Sequence, residues 1–202
     1  MEETRFISPA TIVLSGTTSS GKSTWMERFL HHQMFDVSPE RIYYCYGVYQ
    51  KKFEQMPNVT FVQGLPESFE EFYGPRHNLL VIDDLQDEVT SSKSVEQLFT
   101  RESHHKNLSV VYINQNLFYQ GKHARTIALN THYTILFRNP RASSQLRTLR
   151  SQTGLKHLEE AYNDVMKQDQ FGYVVIDLSP FSKTKYKVRT RIFPEEDLII
   201  YE

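Results

Sequence analysis

Residues 16–24, Gly-Thr-Thr-Ser-Ser-Gly-Lys-Ser-Thr, decide the fold of this 202-residue chain. They follow an apolar run at residues 11–14, which predicts a strand, and precede residues 24–34, which predict a helix with one apolar side. A G-x-x-x-x-G-K-[ST] sequence between a strand and a helix is typical of a phosphate-binding loop. A Gly/Ser-rich turn that matches by chance is the alternative, and the flanking strand and helix argue against it.

The residue types in this stretch explain why it would bind phosphate. Gly16 and Gly21 permit backbone conformations that turn amide N–H groups inward, and the following helix adds its positive N-terminal end. Lys22 is expected to reach the β- and γ-phosphates, Ser23 to ligate Mg²⁺ and Thr24 to contact the α-phosphate. The expected nucleotide-binding residues are Gly16, Thr17, Thr18, Ser19, Ser20, Gly21, Lys22, Ser23 and Thr24.

A second informative stretch is NLLVIDD at residues 78–84. Four consecutive apolar residues that end in carboxylates indicate a buried parallel strand with acids at its carboxyl end, where open α/β sheets bind ligands. We expect Asp83 to hold Mg²⁺ opposite Ser23, and Asp84 to orient or deprotonate the water that attacks the γ-phosphate. The alternative is a strand that ends in a plain acidic turn, since Asp is common in turns.

A third strand is predicted at residues 109–113, and it ends in Asn114, Gln115 and Asn116. An amide just past the strand beside the acidic one is well placed to sense the γ-phosphate or to position water. Gln115 is the first candidate for this sensor and Asn114 the second. Simple turn chemistry is the alternative, because Asn also favours turns.

Composition and charge narrow the class of protein. The chain has one cysteine, Cys45, which suits a reducing compartment, and it has neither a visible signal peptide nor an apolar stretch long enough to cross a membrane. Its net charge of −1 hides a basic third quarter, because residues 101–150 contain eight Lys and Arg residues and one acidic residue. Such asymmetry indicates an anionic partner, either nucleotide, nucleic acid or both.

The order of elements predicts the fold. Strands separated by helical segments indicate an α/β protein with a mostly parallel central sheet flanked by helices, in one P-loop NTPase domain over residues 1–202. Its core is expected at about residues 8–150, followed by a C-terminal helix and β-hairpin extension at about 151–202. A strand between the phosphate-loop strand and the Asp83 strand would make it an additional-strand NTPase. Such NTPases commonly work as rings in which a neighbouring subunit supplies an arginine.

The arginine that acts on the neighbouring subunit is expected at Arg101, near the end of a predicted helix at residues 95–101. Arg125, Arg138 and Arg141 are the alternatives. Each of these arginines could instead bind DNA phosphates, because a guanidinium can donate two hydrogen bonds to one phosphate group.

The predicted hairpin pairs residues 173–177 with residues 185–192. In the second strand, Lys185, Lys187, Arg189 and Arg191 alternate with apolar residues and Thr190, which predicts a wholly basic face. This face fits either an edge strand protected by charge or a ribbon that faces DNA.

The chain resembles the FtsK–HerA superfamily of DNA-pumping ATPases, and within it the packaging ATPases of poxvirus-like, adintovirus and Maverick/Polinton elements. The resemblance covers roughly residues 10–150 and rests on LSGTTSSGKST at 14–24, VIDDL at 81–85, QNLFYQGKHART at 115–126 and residues 130–141. It implies that Gln115 is the sensor amide. Where this family often has Asp-Glu, the chain has Asp83-Asp84, so the second carboxylate is one methylene shorter.

The resemblance also implies a function and its partners. The implied function is an ATPase that pumps double-stranded DNA into a capsid, with ATP and Mg²⁺ as cofactors. The implied assembly is a homo-oligomeric ring that contacts capsid protein, and no membrane is involved. The expected location is the virion or the cytoplasm or nucleus of a host cell. Two other functions start from the same loop. The first is a nucleotide kinase, which needs an arginine-rich lid that the arginines of residues 138–150 could form. The second is a switch that binds nucleotide without hydrolysing it, and the intact Lys22 and Asp83 argue against this function.

Overall fold

A nine-stranded sheet organises the computed structural model, which describes residues 4–56 and 58–202. The strands are β1 (Thr11–Ser15), β2 (Ile42–Tyr46), β3 (Val59–Gln63), β4 (Asn78–Asp83), β5 (Leu108–Asn114), β6 (Tyr133–Phe137), β7 (Tyr173–Asp177), β8 (Val188–Thr190) and β9 (Ile199–Ile200). The α-helices are α1 (Lys22–His31), α2 (Gln86–Ser91), α3 (Lys93–Gln97), α4 (Ser103–His105), α5 (Ala124–Leu129), α6 (Ala142–Thr153) and α7 (Leu158–Gln168).

The strand order, β3-β2-β4-β5-β1-β6-β7-β8-β9, confirms the predicted fold class. The first six strands of this order run parallel, and β7 to β9 continue the sheet in antiparallel fashion. Strand β5 lies between β1 and β4, which makes it the additional strand that the sequence anticipated. The carboxyl ends of β1, β4 and β5 therefore meet at one edge, with Ser15 paired to Asn114 and Asp83 to Ile113.

Helices cover both faces of the sheet, which explains the nearly continuous apolar sequence of its central strands. On one face α1 packs through Trp25, Met26 and Phe29 into a core rich in aromatic side chains. On the other face α2, α3 and α5 to α7 contribute a second apolar cluster. Among the described residues, no helix is long and apolar enough to cross a membrane.

The prediction of a wholly basic face on the second strand of the tail hairpin is wrong. Strand β8 spans only Val188–Thr190, and Lys185 lies in a 3₁₀ turn, Thr184–Tyr186. Arg189 is 1% exposed, and its Nη1 donates to Oδ2 of Asp177 at 3.0 Å and to the Tyr186 carbonyl at 2.5 Å. The charge that was expected on a surface strand is thus part of a buried ion pair between β7 and β8.

One predicted helix differs from the structure in its bounds. The helix after the phosphate loop begins at Lys22, two residues before the expected start, because Gly21 adopts a left-handed conformation that ends the loop there.

We predict that Arg189→Met lowers the free energy of unfolding by about 3–5 kcal/mol, because it leaves the Asp177 carboxylate buried without its cation. Urea unfolding followed by circular dichroism measures this change. Arg191→Met, at an exposed position two residues on, is the matched control and should stay within about 0.5 kcal/mol of the wild type. Equal losses in the two variants would contradict a specific contribution of the buried pair.

Candidate active site

The phosphate-loop segment is held by the ends of the two strands that flank β1. The Gly16 N–H donates to the Asn114 carbonyl at 3.3 Å, at the end of β5. The N–H and the hydroxyl of Thr17 both donate to the carbonyl of Arg138, just past β6, at 3.2 and 3.0 Å. The loop is therefore fixed to the sheet on both sides.

Two glycines in the loop are required by its geometry. A Cβ on Gly16 would lie 2.6 Å from Cβ of Phe137, so the close approach of loop and strand excludes any side chain there. Gly21 has a φ of 99°, and Ser19, at 61°, is also left-handed. These conformations turn the loop sharply before α1 begins, in a form that favours glycine.

The start of α1 fits an anion. In the described chain no side chain caps this helix, and its first turn holds no acidic residue. The first-turn amides, which have no intrahelical acceptor, and the positive end of the helix dipole thus suit phosphate oxygens. Lys22 Nζ lies over the same loop, where it donates to the carbonyls of Gly16 and Thr17 at 2.6 and 2.8 Å.

A cavity of about 460 Å³ opens beside this loop, a volume in the range of small-molecule sites. It brings together most of the residues that the sequence predicts for the site. Its lining consists of Thr18, Ser19, Ser20, Gly21, Lys22, Ser23, Thr24, Gln50, Asp83, Asp84, Gln86, Ile113, Asn114, Gln115 and Phe171. Gly16 and Thr17 form the base of the loop. A larger groove of about 740 Å³, between α1 and β2–β3, shares only Thr24 with this cavity and holds none of the predicted catalytic residues.

The Asp83 carboxylate is held in place by a tyrosine of the neighbouring strand. Asp83 is 6% exposed, and the Tyr44 hydroxyl on β2 donates to its Oδ2 at 2.7 Å. Burial, and then the negative charge of Asp83, raise the pKa of the Tyr44 phenol far above its ordinary value. The phenol therefore stays protonated and remains a donor, which fixes the orientation of the carboxylate.

Asp84 occupies an unusual backbone position. It has a φ of 58° and an exposed side chain at the cavity, and a Cβ on Gly47 would lie 2.4 Å from its carbonyl oxygen. Aspartate and asparagine enter the left-handed region more readily than most residues do. This preference gives a physical reason for aspartate here, where the resembling family often has glutamate.

The two candidate amides differ in exposure. The Gln115 side chain is exposed at the cavity, and its backbone N–H donates to Oε1 of Gln86, the first residue of α2, at 3.2 Å. Asn114 is 5% exposed. The geometry thus leaves Gln115 as the amide better able to meet a ligand, although its role as sensor stays a prediction.

Arg101 does not line the cavity. It lies in a π-helical turn, Leu98–Glu102, and pairs with Glu102 at 3.5 Å. Glu102 in turn accepts from the Tyr73 hydroxyl at 2.6 Å, and Tyr73 comes shortly before β4. Arg101 is therefore near the amino ends of the strands, at the edge opposite the cavity.

The three alternative arginines lie on the carboxyl-edge side of the sheet. The Arg138 guanidinium donates to the carbonyls of Met166 and Asp169, at the end of α7. Arg125 and Arg141 are exposed and line a second cavity of about 580 Å³ next to Asn116. Arg138 is thus used within its own subunit, whereas the other two point into a separate cavity.

Several side chains of the site were not anticipated from the sequence, among them Tyr44, Gln86 and Phe171. Tyr44 reaches Asp83 across two paired strands, and strand pairing is not readable from one sequence. Gln86 comes three residues after Asp83, a spacing that could have suggested it. Phe171 reaches the cavity from the turn between α7 and β7, and no local pattern marks it.

No protein-family model matches the chain, and no curated protein matches it significantly. Solved structures do resemble it. The genome-packaging NTPase B204 of Sulfolobus turreted icosahedral virus 2, in complex with AMPPCP, has a TM-score of 0.57 and 13% identity, over 96% of this chain and 97% of that chain.

Two further structures extend this comparison. B204, the DNA-packaging ATPase of Sulfolobus turreted icosahedral virus, has a TM-score of 0.52 and 12% identity, over 96% of this chain and 97% of that chain. EssC (ATPases 2 and 3) of Geobacillus thermodenitrificans has a TM-score of 0.50 and 11% identity, over 96% of this chain and 39% of that chain. At these identities the likeness shows the fold alone, and it confirms the predicted α/β fold of the P-loop NTPase type.

Proposed function

We propose that the chain is an ATPase that pumps double-stranded DNA into a viral capsid as a ring of identical subunits. The observation that carries the proposal is the cavity in which Lys22, Ser23, Asp83 and Gln115 meet beside an uncapped helix start. The solved structures of similar fold include proteins named as genome-packaging and DNA-packaging enzymes. The basic third quarter of the chain supports a polyanionic cargo.

Each residue has a proposed task at the triphosphate. The loop amides and Lys22 bind the phosphates. Ser23 and Asp83 would hold Mg²⁺ through their side-chain oxygens, and the ion would supply positive charge to the bound triphosphate. Asp84 orients or deprotonates the attacking water, and Gln115 positions that water against the γ-phosphate. The hydrogen bond from the Tyr44 hydroxyl fixes the orientation of the Asp83 carboxylate for metal binding.

The charged residues of the cavity are consistent with a ring in which a second subunit completes the site. Among the described residues that line it, Lys22 is a cation and no arginine is present. Related NTPases stabilise the transition state with an arginine, in several cases supplied by a partner protein. We therefore propose that a neighbouring subunit donates an arginine to this cavity, with Arg101, Arg125 and Arg141 as the candidates.

The second cavity is the proposed place of DNA contact. Its described lining contains Arg125 and Arg141, several amides and hydroxyls, and no carboxylate. Guanidinium and neutral polar groups are the usual partners of DNA phosphates. We extend the proposal to a contact with capsid protein and to a location in the virion or in the cytoplasm or nucleus of the host cell, both of which rest on the packaging resemblance.

A nucleotide kinase is less well supported. Its arginine-rich lid would have to come from the helix after β6, but α6 packs into the core through Leu146 and Leu149. Arg150 pairs with Glu159 of α7 at 3.5 Å instead of reaching the nucleotide cavity. This arrangement favours hydrolysis over transfer to a bound acceptor.

We predict that double-stranded DNA raises the steady-state rate of ATP hydrolysis several-fold, and that Lys22→Ala abolishes it, since the phosphates lose their fixed charge. A coupled phosphate-release assay measures both effects. Lys156→Ala, at an exposed surface position, is the control and should keep the wild-type rate. If DNA does not change the hydrolysis rate but a nucleoside monophosphate raises it, the packaging proposal is wrong and the protein is a nucleotide kinase.

Tyr44→Phe should raise the Mg²⁺ concentration for half-maximal hydrolysis by about tenfold, because outer-shell partners of metal ligands typically contribute that much to metal affinity or activity. A Mg²⁺ titration at saturating ATP tests this. Tyr43→Phe is the matched control, because the Tyr43 ring packs on Phe72 on the other face of the sheet. If the two variants need the same Mg²⁺ concentration, Tyr44 does not position a metal ligand.

A mixing experiment identifies the arginine that acts on the neighbour. Arg101→Ala alone should lose about 10³–10⁵ in rate, and Lys22→Ala alone should be inactive. In an equal mixture of the two, about one site in four combines an intact Lys22 with an intact neighbouring arginine, so part of the activity returns. If Arg101→Ala gives no recovery, the same mixture with Arg125→Ala or Arg141→Ala decides between the alternatives.

A further inference from the structure

Among the described residues that line the nucleotide cavity, one is aromatic, and it has no role in the chemistry proposed above. Phe171 lies in the turn between α7 and β7, lines the cavity, and keeps 55% of its surface exposed. A large aromatic ring exposed to water is unfavourable, at roughly 25 cal/mol for each Å² of apolar surface. An exposed aromatic ring in a ligand cavity is well suited to contact an apolar part of that ligand.

The ring lies on the side of the phosphate loop opposite Asp83 and Gln115. A Cβ on Gly21 would lie 3.4–3.8 Å from atoms of Phe171, so the ring stands against the start of α1, on the β6–β7 side of the loop. Asp83 is the last residue of β4 and Gln115 follows β5, on the other side of β1. If the γ-phosphate lies at the acidic end, the nucleoside lies toward Phe171.

The turn that carries Phe171 is held tightly. The Phe171 N–H donates to Oδ1 of Asp169 at 2.8 Å. A Cβ on Gly172 would lie 2.6 Å from the Val165 side chain, so the chain passes close to α7 at this point. The Arg138 guanidinium donates to the carbonyls of Met166 and Asp169, which ties the turn to the residues after β6.

Arg138 also connects this turn to the phosphate loop. Its carbonyl accepts from the N–H and the hydroxyl of Thr17, while its guanidinium holds the end of α7. One residue therefore sets the distance between the loop that would bind the phosphates and the ring of Phe171.

We propose that Phe171 is the platform on which the base of the bound nucleotide stacks, and that Arg138 is the positioning residue that holds this platform at a fixed distance from the phosphate loop. This inference rests on the proposed function and adds a base-binding subsite to its site. Because every base has a π-face, stacking of this kind tolerates different bases. The platform thus contributes affinity for nucleoside triphosphates over inorganic polyphosphate, with little choice between adenine and guanine.

Calorimetric binding of Mg²⁺–ATP and of inorganic tripolyphosphate tests the proposal. Phe171→Ala should raise the Kd of ATP about tenfold or more and leave the Kd of tripolyphosphate unchanged. Phe171→Trp should restore ATP binding and give a fluorescence change with ATP but not with tripolyphosphate. Phe181→Ala is the matched control, because this ring is 71% exposed in the loop that follows β7, at the opposite edge of the sheet.

The outcomes separate this inference from the proposed function. If Phe171→Ala binds ATP as the wild type does, or loses ATP and tripolyphosphate equally, the base platform is overturned while the ATPase proposal stands. If the wild type binds neither compound, both are overturned. Selective loss of ATP in Phe171→Ala, with recovery in Phe171→Trp, supports the platform.

Discussion

The backbone carbonyl of Arg138 is the acceptor on which the position of the phosphate loop depends. Strands β1 and β6 pair so that Ser15 lies opposite Leu136, and the chain after β6 therefore passes directly beside the loop that leaves β1. The amide and the hydroxyl of Thr17 both donate to this carbonyl. Phe137 lies so close to Gly16 that a side chain at residue 16 would not fit. A loop that bends around a ligand is thus anchored by the register of a parallel sheet.

Much of this arrangement could be predicted, because it follows from local sequence and from one rule of sheet topology. Strands β1 and β4 are buried along their whole length, so the apolar runs at residues 11–14 and 79–82 marked their positions in the sequence. The carboxyl ends of parallel strands share an edge, which is why Asp83 and Gln115 were expected beside the loop and lie there. Helix ends were less accurate, because they depend on single residues such as Gly21.

The remaining features depend on contacts between distant segments. Tyr44 meets Asp83 only because β2 pairs with β4, and Phe171 reaches the cavity only because α7 returns the chain to the loop. Arg189 was misread for the same reason. Alternation of charged and apolar residues is typical of a half-exposed strand, but β7 supplies Asp177 as a partner and β9 covers the other side. Partners of this kind are invisible in a single sequence.

The antiparallel strands at the end of the chain have a consequence for assembly. Tyr133–Phe137 is buried over all five residues, and in the absence of β7 its backbone groups would form an unpaired apolar edge. Such edges recruit strands from other molecules. In a protein proposed to work through ordered contacts between subunits, residues 173–200 act as a guard against polymerisation by strand exchange. On this side of the sheet the outer strand is therefore a two-residue segment, Ile199–Ile200, which is too short to template another chain.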